Sequence, residues 1–314
     1  MNILITSIGT TTAINLYKLL RTQHRIIGTD INPKGHTAGS LLVNIFEQVP
    51  PYNSPYFLSN IKNIVTKYSV DLIIPIHDYE IKVLSQSDIT KYTKVIMPPI
   101  ETIEIFSDKL ISINAMNKLG IFSGQIITSQ HYNKKIIKRE RIGVGSKGIQ
   151  IFEDNLTAKQ YILPSYANSS YFLQEFIDGE EYTVDVACDS KGIPFLIIPR
   201  KRIEVKAGVA TKVQIVNDRN LIQKVQSIYT HFNIPGFSNV QFILSNNQYY
   251  FIELNYRYGG MSISSALATY NYAEEVVDYY INDSGNKHKT INDFPIKWNA
   301  FITRYFEELI SYEA

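Results

Sequence analysis

The chain has 314 residues, 45% of them hydrophobic, which is enough for two or three domains with sizeable cores. A net charge of +2, with no Lys/Arg block interleaved with aromatics, gives no electrostatic footprint for nucleic acid. The lone Cys188 excludes an intramolecular disulfide and a multi-cysteine zinc site, no apolar run approaches a membrane span, and the opening MNILIT lacks a basic leader, so a cytoplasmic protein without a membrane partner is expected.

From the amino terminus, Ile3-Leu4-Ile5 reads as a strand, residues 7–12 as a glycine-containing turn, and Ala13, Leu16, Leu19 and Leu20 as apolar positions at helical spacing. A second strand over residues 25–29 ends at Asp30, which starts a parallel α/β unit. A dinucleotide fingerprint needs three spaced glycines, and only Gly9 stands here, so a dehydrogenase is disfavoured. Asp30 either caps the following turn or holds a ligand hydroxyl. The apolar run over residues 71–75 reads as a strand of a sheet covered on both faces. It leads to His77, Asp78 and Glu80 at a strand's carboxyl end, where α/β sheets bind ligands; the two acids either cap the next helix or reach a substrate. Val95-Ile96-Met97 before Pro98-Pro99 closes this sheet and sets a domain boundary at 98/99.

Residues 103–119 read as one helix, with Asp108-Lys109 as a solvated charged pair inside it. Two strand-like runs follow, 125–127 and 135–138, and the second feeds the stretch RERIGVGSKGI. Glycines around Ser146 free backbone N–H groups to cradle phosphate, while Lys138 and Lys147 add positive charge. The spacing is not that of a Walker loop, and a flexible hairpin tip is the alternative. The run YFLQEFIDGEEYTVDVAC reads as strand, turn at Asp178-Gly179, strand, with Cys188 a buried structural thiol. Its carboxylates suit ribose hydroxyls and its extended backbone from Gln174 to Ile177 suits an adenine edge, unless the hairpin is a surface feature. A strand at 195–199 then leads to Arg200 and Arg202, which share one face and suit a phosphate or a carboxylate; a solvated edge strand is the alternative.

Residues 239–257 read as two strands joined by Ser245-Asn246-Asn247. Gln241 on the first strand and Glu253 and Asn255 on the second converge in an antiparallel pair, and period-two alternation sets Glu253, Asn255 and Arg257 on one face. Oxygen side chains suit a hard cation such as Mg²⁺ shared with substrate phosphates, and an adjacent arginine suits a transferring phosphoryl group. The plain alternative is a solvated strand face. Beyond it, Tyr258-Gly259-Gly260 opens a helix whose N-terminus offers donors to an anion, and residues 298–313 read as a last strand and a short acidic helix.

In this order, the runs resemble the ATP-grasp superfamily, in the branch of carbamoyl phosphate synthetase and the stand-alone carboxylate–amine ligases, over nearly the whole chain. The resemblance implies a fold of α/β and α+β parts: an N-terminal parallel-sheet, Rossmann-like pre-ATP-grasp domain at 1–98, then an ATP-grasp domain at 99–314 whose two α+β subdomains clamp ATP, with a flap subdomain at about 120–178. Position by position, it implies that Lys109 and Lys138 are the two basic residues at the phosphates and that Gly143, Gly145, Ser146 and Gly148 form the closing loop. Gln174 and Glu175 begin the adenine hinge, Ile177 reads the ring edge, and Glu181 binds ribose. Gln241, Glu253 and Asn255 hold the metal and Arg257 faces the transferred phosphate. Tyr256 stands where the family's metal motif has proline, and Arg139 stands where proline usually follows the flap lysine. The implied cofactors are ATP and Mg²⁺, with Mn²⁺ as a substitute. The implied activity joins a small-molecule carboxylate to an amine through an acyl phosphate, with Arg202, and secondarily Arg200 or Lys212, holding the carboxylate. Carboxyphosphate chemistry and a non-catalytic ATP-binding module are the rivals, and a homodimer is left open.

Overall fold

In the computed structural model, which describes residues 1–143, 148–206, 208–282 and 295–312, the apolar runs of β1 (Asn2–Ile5) and β4 (Leu72–Ile74) are buried on both faces, as a sheet sandwiched between helices requires. With β2 (Arg25–Asp30), β3 (Ile45–Gln48) and β5 (Lys94–Val95) they form a parallel sheet in the order β3-β2-β1-β4-β5, joined through helices α1 (Thr11–Leu20), α2 (Ala38–Leu42), α3 (Phe57–Tyr68) and α4 (Asp78–Ser85). Leu4, Ile27 and Ile73 pack against Phe57, Ile61 and Val65 of α3. Ile3, Ile5 and Ile74 face the other way, into a core that also holds Phe195, Ile198 and Phe237 from the carboxy-terminal part of the chain. The N-terminal sheet is therefore built into the rest of the molecule. Asp30 caps its own turn, accepting from Asn32 N at 3.0 Å and, across to the first turn of the sheet, from Gly9 N at 2.8 Å.

The single helix expected over 103–119 is two, α5 (Ile100–Ser107) and α6 (Lys109–Lys118). Asp108 breaks it by turning extended and accepting from Leu110 N and Ile111 N, an N-cap that satisfies two otherwise orphaned donors. Lys109 thus opens a helix rather than sitting within one.

Strands β6 (Ile136–Glu140), β7 (Gln150–Phe152) and β8 (Tyr171–Glu175), with the short α7 (Asn155–Ala158), make a three-stranded antiparallel sheet in the order β7-β6-β8. The expected strand at 125–127 contributes only a bridge between Ile126 and Gln174. The larger sheet takes β9 (Glu180–Cys188), β10 (Pro194–Lys206), β11 (Val209–Ile215), β12 (Gly236–Ser245), β13 (Gln248–Asn255) and β14 (Phe301–Thr303), in the order β13-β12-β9-β10-β11-β14. Residues 171–188 are therefore not a hairpin: β8 and β9 belong to different sheets, and Asp178-Gly179 is the crossing between them. Gly179 passes so close to β12 that a Cβ there would lie 2.2 Å from the Leu244 carbonyl oxygen. Between β12 and β13 the turn is as expected, with Asn246 and Asn247 both at positive φ, the geometry of a tight hairpin. Helices α8 (Arg219–Tyr229), α9 (Ile263–Ala268) and α10 (Tyr272–Asn282) cover the large sheet. The acidic helix expected at the carboxyl end is absent over residues 304–312, where Phe306 and Ile310 are 70% and 79% exposed and a few residues without a packing surface do not hold a helix.

Candidate nucleotide and phosphoryl-transfer site

A cleft of about 760 Å³ lies between the two antiparallel sheets and reaches the helices of the N-terminal unit at Thr12 of α1 and Asp78 and Tyr79 of α4. Its apolar part includes Phe106, Ile137, Phe176, Ile243 and Leu254. Its polar part is the side-chain row of β12 and β13. Gln241 pairs directly across the strands with Glu253, and Asn239 pairs with Asn255. Asn255 Nδ2 donates to Glu253 Oε1 and to Asn239 Oδ1, both at 3.2 Å, which holds the row in one plane of the sheet face. The donors offered are all oxygen and include one carboxylate, a set that fits Mg²⁺ completed by phosphate and water. Among the described residues there is no cluster of three or more His, Cys, Asp or Glu that would hold a metal without a substrate's help.

Arg257 continues the row. Its Nε donates to Asp78 Oδ1 at 3.0 Å, Nη1 to the Tyr258 carbonyl at 3.2 Å and Nη2 to Asn255 Oδ1 at 3.4 Å. Burial pulls its pKa down, but the charge and hydrogen bond of Asp78, with Glu253 beyond, outweigh that and hold it above the ordinary value.

Lys109 lines the cleft, donates to the Gly143 carbonyl at 2.7 Å, and lies 4.0 Å from Glu253 Oε2. Burial lowers its pKa. Lys138 is not on the cleft wall. Its ammonium sits over the rings of Tyr171 at 4.8 Å and Tyr161 at 5.1 Å, on the far face of β6. The cation that reaches the cleft from this strand is Arg139, which is 5% exposed, donates to Gln174 Oε1 at 3.1 Å and to the Ile252 carbonyl at 3.2 Å, and lies 4.0 Å from Glu253 Oε2. The reason is the strand's period of two: β6 pairs Ile137 with Gln174 and Arg139 with Phe172, so a cleft-facing Gln174 brings Ile137 and Arg139 to the cleft and turns Lys138 away.

Asp108, expected on a solvated face, is buried and forms a bidentate pair with Arg141, at 2.9 Å to Nε and 2.6 Å to Nη2. With the bond from Lys109 N to the Arg141 carbonyl at 2.9 Å, it ties the chain just past β6 to the junction of α5 and α6. Gly143 is on the cleft wall, and Gly148 is held at φ +75, where a Cβ would meet Glu140 Cγ at 2.8 Å. Gly145 and Ser146, with Lys147, lie outside the described residues.

Gln174, Glu175, Ile177 and Glu181 all line the cleft. Gln174 Nε2 donates to the Gly124 carbonyl at 2.9 Å, and Glu175 Oε1 accepts from Lys134 at 3.2 Å. Arg200 and Arg202 share the cleft face as alternation predicts, while Lys201 turns out to Glu180. Arg202 Nη1 meets Glu181 Oε2 at 3.2 Å and Gln241 Oε1 at 3.4 Å, and its buried Nε has no hydrogen-bond partner among the described residues. An orphaned guanidinium N–H on a cleft wall fits an anion. Arg200 is committed to the buried Asp185, at 2.8 and 3.1 Å, whose oxygens also accept from Ser262 and Ser265. Lys212 is not among the residues that line the cleft, and its Nζ lies 3.8 Å from Glu204 Oε2. The glycine turn lines the cleft, but Gly259 N already donates to Ser262 Oγ and α9 has six residues, so the helix N-terminus is not a free anion site.

Residues 106–261 match the family model described as an ATP-grasp domain, and residues 3–98 match that of the PylC-like N-terminal domain. The chain belongs to the ATP-grasp superfamily. This ATP-grasp chain is 23% identical over 188 residues, 52% of its length, to the carbamoyl phosphate synthase large chain of Campylobacter jejuni, and it spans only 17% of that relative. Among solved structures it is similar to the biotin carboxylase domain of the Hydrogenobacter thermophilus 2-oxoglutarate carboxylase, with a TM-score of 0.73 at 12% identity, covering 95% of this chain and 73% of that one. It is also similar to the Staphylococcus aureus N5-carboxyaminoimidazole synthetase, with a TM-score of 0.71 at 14% identity, covering 96% and 81%. The first of those structures holds MgADP and bicarbonate. The fold class expected from the sequence, a parallel-sheet unit followed by an ATP-grasp fold, is thus borne out.

Proposed function

We propose that this ATP-grasp chain is an ADP-forming carboxylate–amine ligase. The observation that carries the reading is the convergence of Gln241, Glu253, Asn255 and Arg257 on one face of β12–β13, inside a cleft that also receives Lys109, Arg139 and Arg202. Oxygen ligands, an arginine beside them and two further cations are what transfer of a γ-phosphoryl group needs, because that reaction is mostly positioning and charge stabilisation.

In this reading ATP lies with its adenine against the apolar end, beside Gln174, Glu175 and Ile177, and its ribose toward Glu181. Gly143, Gly145, Ser146 and Gly148 belong to the loop that covers the phosphates. Lys109 and Arg139 neutralise phosphate oxygens. Gln241, Glu253 and Asn255 would hold Mg²⁺, or Mn²⁺ in its place, which supplies charge neutralisation at the β- and γ-phosphates. A substrate carboxylate, held by Arg202, attacks the γ-phosphorus; the bond to the β–γ bridging oxygen breaks and ADP leaves. The amine's lone pair then attacks the acyl carbon, phosphate departs, and the amine nitrogen loses a proton to give the amide. Arg257 stabilises the charge on the transferring group. The domain limits 1–98 and 99–314, with the flap at about 120–178, and a soluble cytoplasmic setting with small-molecule partners, go with this reading.

Bicarbonate is a second reading for the carboxylate, favoured by the structural neighbours, which include a carboxylase domain holding bicarbonate. One assay separates the two: Mg²⁺-dependent ADP release with pooled carboxylates and pooled amines, with Glu253→Ala as the blank. Stimulation that needs both pools supports the amide-forming ligase. Stimulation by bicarbonate alone moves the reading to carboxyphosphate chemistry. ATP binding with no stimulation leaves a binding module.

A further inference from the structure

The N-terminal unit reaches the cleft through α4, which brings Asp78 and Lys82 to its wall. Asp78 lies in the first turn of α4, where an acid usually serves the helix end, and the preceding N-cap residue His77 makes no side-chain cap bond. Asp78 does not cap either. Its Oδ1 accepts from Arg257 Nε at 3.0 Å, across 179 residues of sequence. Both side chains are about four-fifths buried, at 18% and 20% exposed.

A guanidinium has five N–H donors in a fixed fork. Arg257 commits three of them, and the partners differ in kind: Asn255 and Tyr258 are neutral acceptors on its own segment, at 3.4 and 3.2 Å, whereas Asp78 is charged, nearer, and fixed to another sheet. The Nε bond sets the plane of the fork, and the remaining two N–H groups, one on each terminal nitrogen, are left for a ligand. The other carboxylate whose charge reaches Arg257 is Glu253, in the metal row. Without Asp78, Glu253 is the acid left to pair with the arginine, and pairing would turn the fork back onto a metal ligand.

We propose that Asp78 is a positioning residue for phosphoryl transfer: it fixes the Arg257 fork toward the γ-phosphate and keeps it off Glu253, which makes the N-terminal sheet a working part of the transfer site. The proposal rests on the ligase reading for its turnover arm. Its binding arm stands on nucleotide alone.

The test compares Asp78→Asn, Arg257→Lys and the double variant, reading affinity for a non-hydrolysable ATP analogue against affinity for ADP, each with Mg²⁺, together with melting temperature and ADP release. In Asp78→Asn the ADP affinity stays, and the preference for the analogue over ADP falls about tenfold, the scale of one charge-assisted hydrogen bond. Turnover falls on the order of 10²-fold, with little change in KM for ATP, as loss of a transition-state donor does. The double variant is no worse than Arg257→Lys alone, which a merely structural role for Asp78 would not produce. An Asp78→Asn protein that binds ADP and keeps the wild-type preference overturns the proposal, as does an additive double variant or a wild type with no preference for the analogue. Should Asp78→Asn melt too low to assay, Asp78→Glu carries the test, because it keeps the charge but moves it by a methylene; an unchanged preference there also overturns the proposal. If no carboxylate and amine stimulate ADP release, the ligase reading fails while the binding arm still decides the role of Asp78.

Discussion

Lys138 and Arg139 are consecutive in β6 and serve opposite faces: the ammonium sits against the perpendicular rings of Tyr161 and Tyr171, and the guanidinium is inserted between Gln174 and the β13 backbone. The difference is measurable. Arg139→Ala should weaken ATP binding by about tenfold or more, the effect of removing a phosphate-facing charge. Lys138→Ala should leave ATP affinity within about twofold and lower stability by about 1 kcal/mol, the scale of a cation–π contact. Titration calorimetry and denaturant melts of the two variants check this, and the reverse pattern would return the nucleotide role to Lys138.

Arg202 carries a buried Nε with no hydrogen-bond partner among the described residues. Arg202→Lys removes the fork and keeps the charge, so KM for the carboxylate substrate should rise about tenfold while KM for ATP moves little. An unchanged carboxylate KM would take Arg202 out of that role.

Glu80 is buried beneath Thr6 and Ser7, whose hydroxyls donate to Oε2 at 2.5 and 3.1 Å. Burial pushes its pKa up to about 7, against an ordinary value of 4.5, although the two hydroxyl bonds pull it down. An acid raised by folding favours the folded state fully below pH 4.5, and that contribution is lost as pH rises through 7. The swing is on the order of 3 kcal/mol. Glu80→Gln, which resembles the protonated acid, should therefore flatten the fall in melting temperature between pH 5 and pH 7.5, a window set by that shift. Parallel curves for the two proteins would mean that Glu80 ionises normally.

Asp185 receives four hydrogen bonds, from Arg200 twice and from Ser262 and Ser265. Asp185→Ala leaves a buried guanidinium without a counter-ion, so stability should fall by roughly 3–5 kcal/mol. Denaturant unfolding tests this, and a loss under about 1 kcal/mol would show that water or another acid takes over.

The residue row on β12–β13 was legible because alternation, a two-asparagine turn and oxygen side chains coincide within nineteen positions. The parallel sheet was legible from its unbroken apolar strands. What the sequence hid falls into two kinds. Lys138 and Arg139 differ by one position, and only the pairing of Ile137 with Gln174 fixes which of them faces the cleft. Asp78 was read as a helix cap or a substrate contact and Asp108 as half of a solvated pair within a helix, because their partners, Arg257 and Arg141, are 179 and 33 residues away and no local pattern reports them. Arg304, which donates to the Gly260 carbonyl beside the cleft, was missed for the same reason.

The junction at Asp108 has a mechanical consequence. Arg141 is held by a bidentate carboxylate, its carbonyl by Lys109 N, and the Gly143 carbonyl by Lys109 Nζ, so the chain is tied down at Arg141 and again at Gly143. Lys109 and Arg139 therefore belong to the frame of the cleft rather than to anything that closes over it. If the chain is the proposed ligase, an entering nucleotide would meet these two cations already in place, and the electrostatic part of recognition would involve little reorganisation when the phosphates arrive.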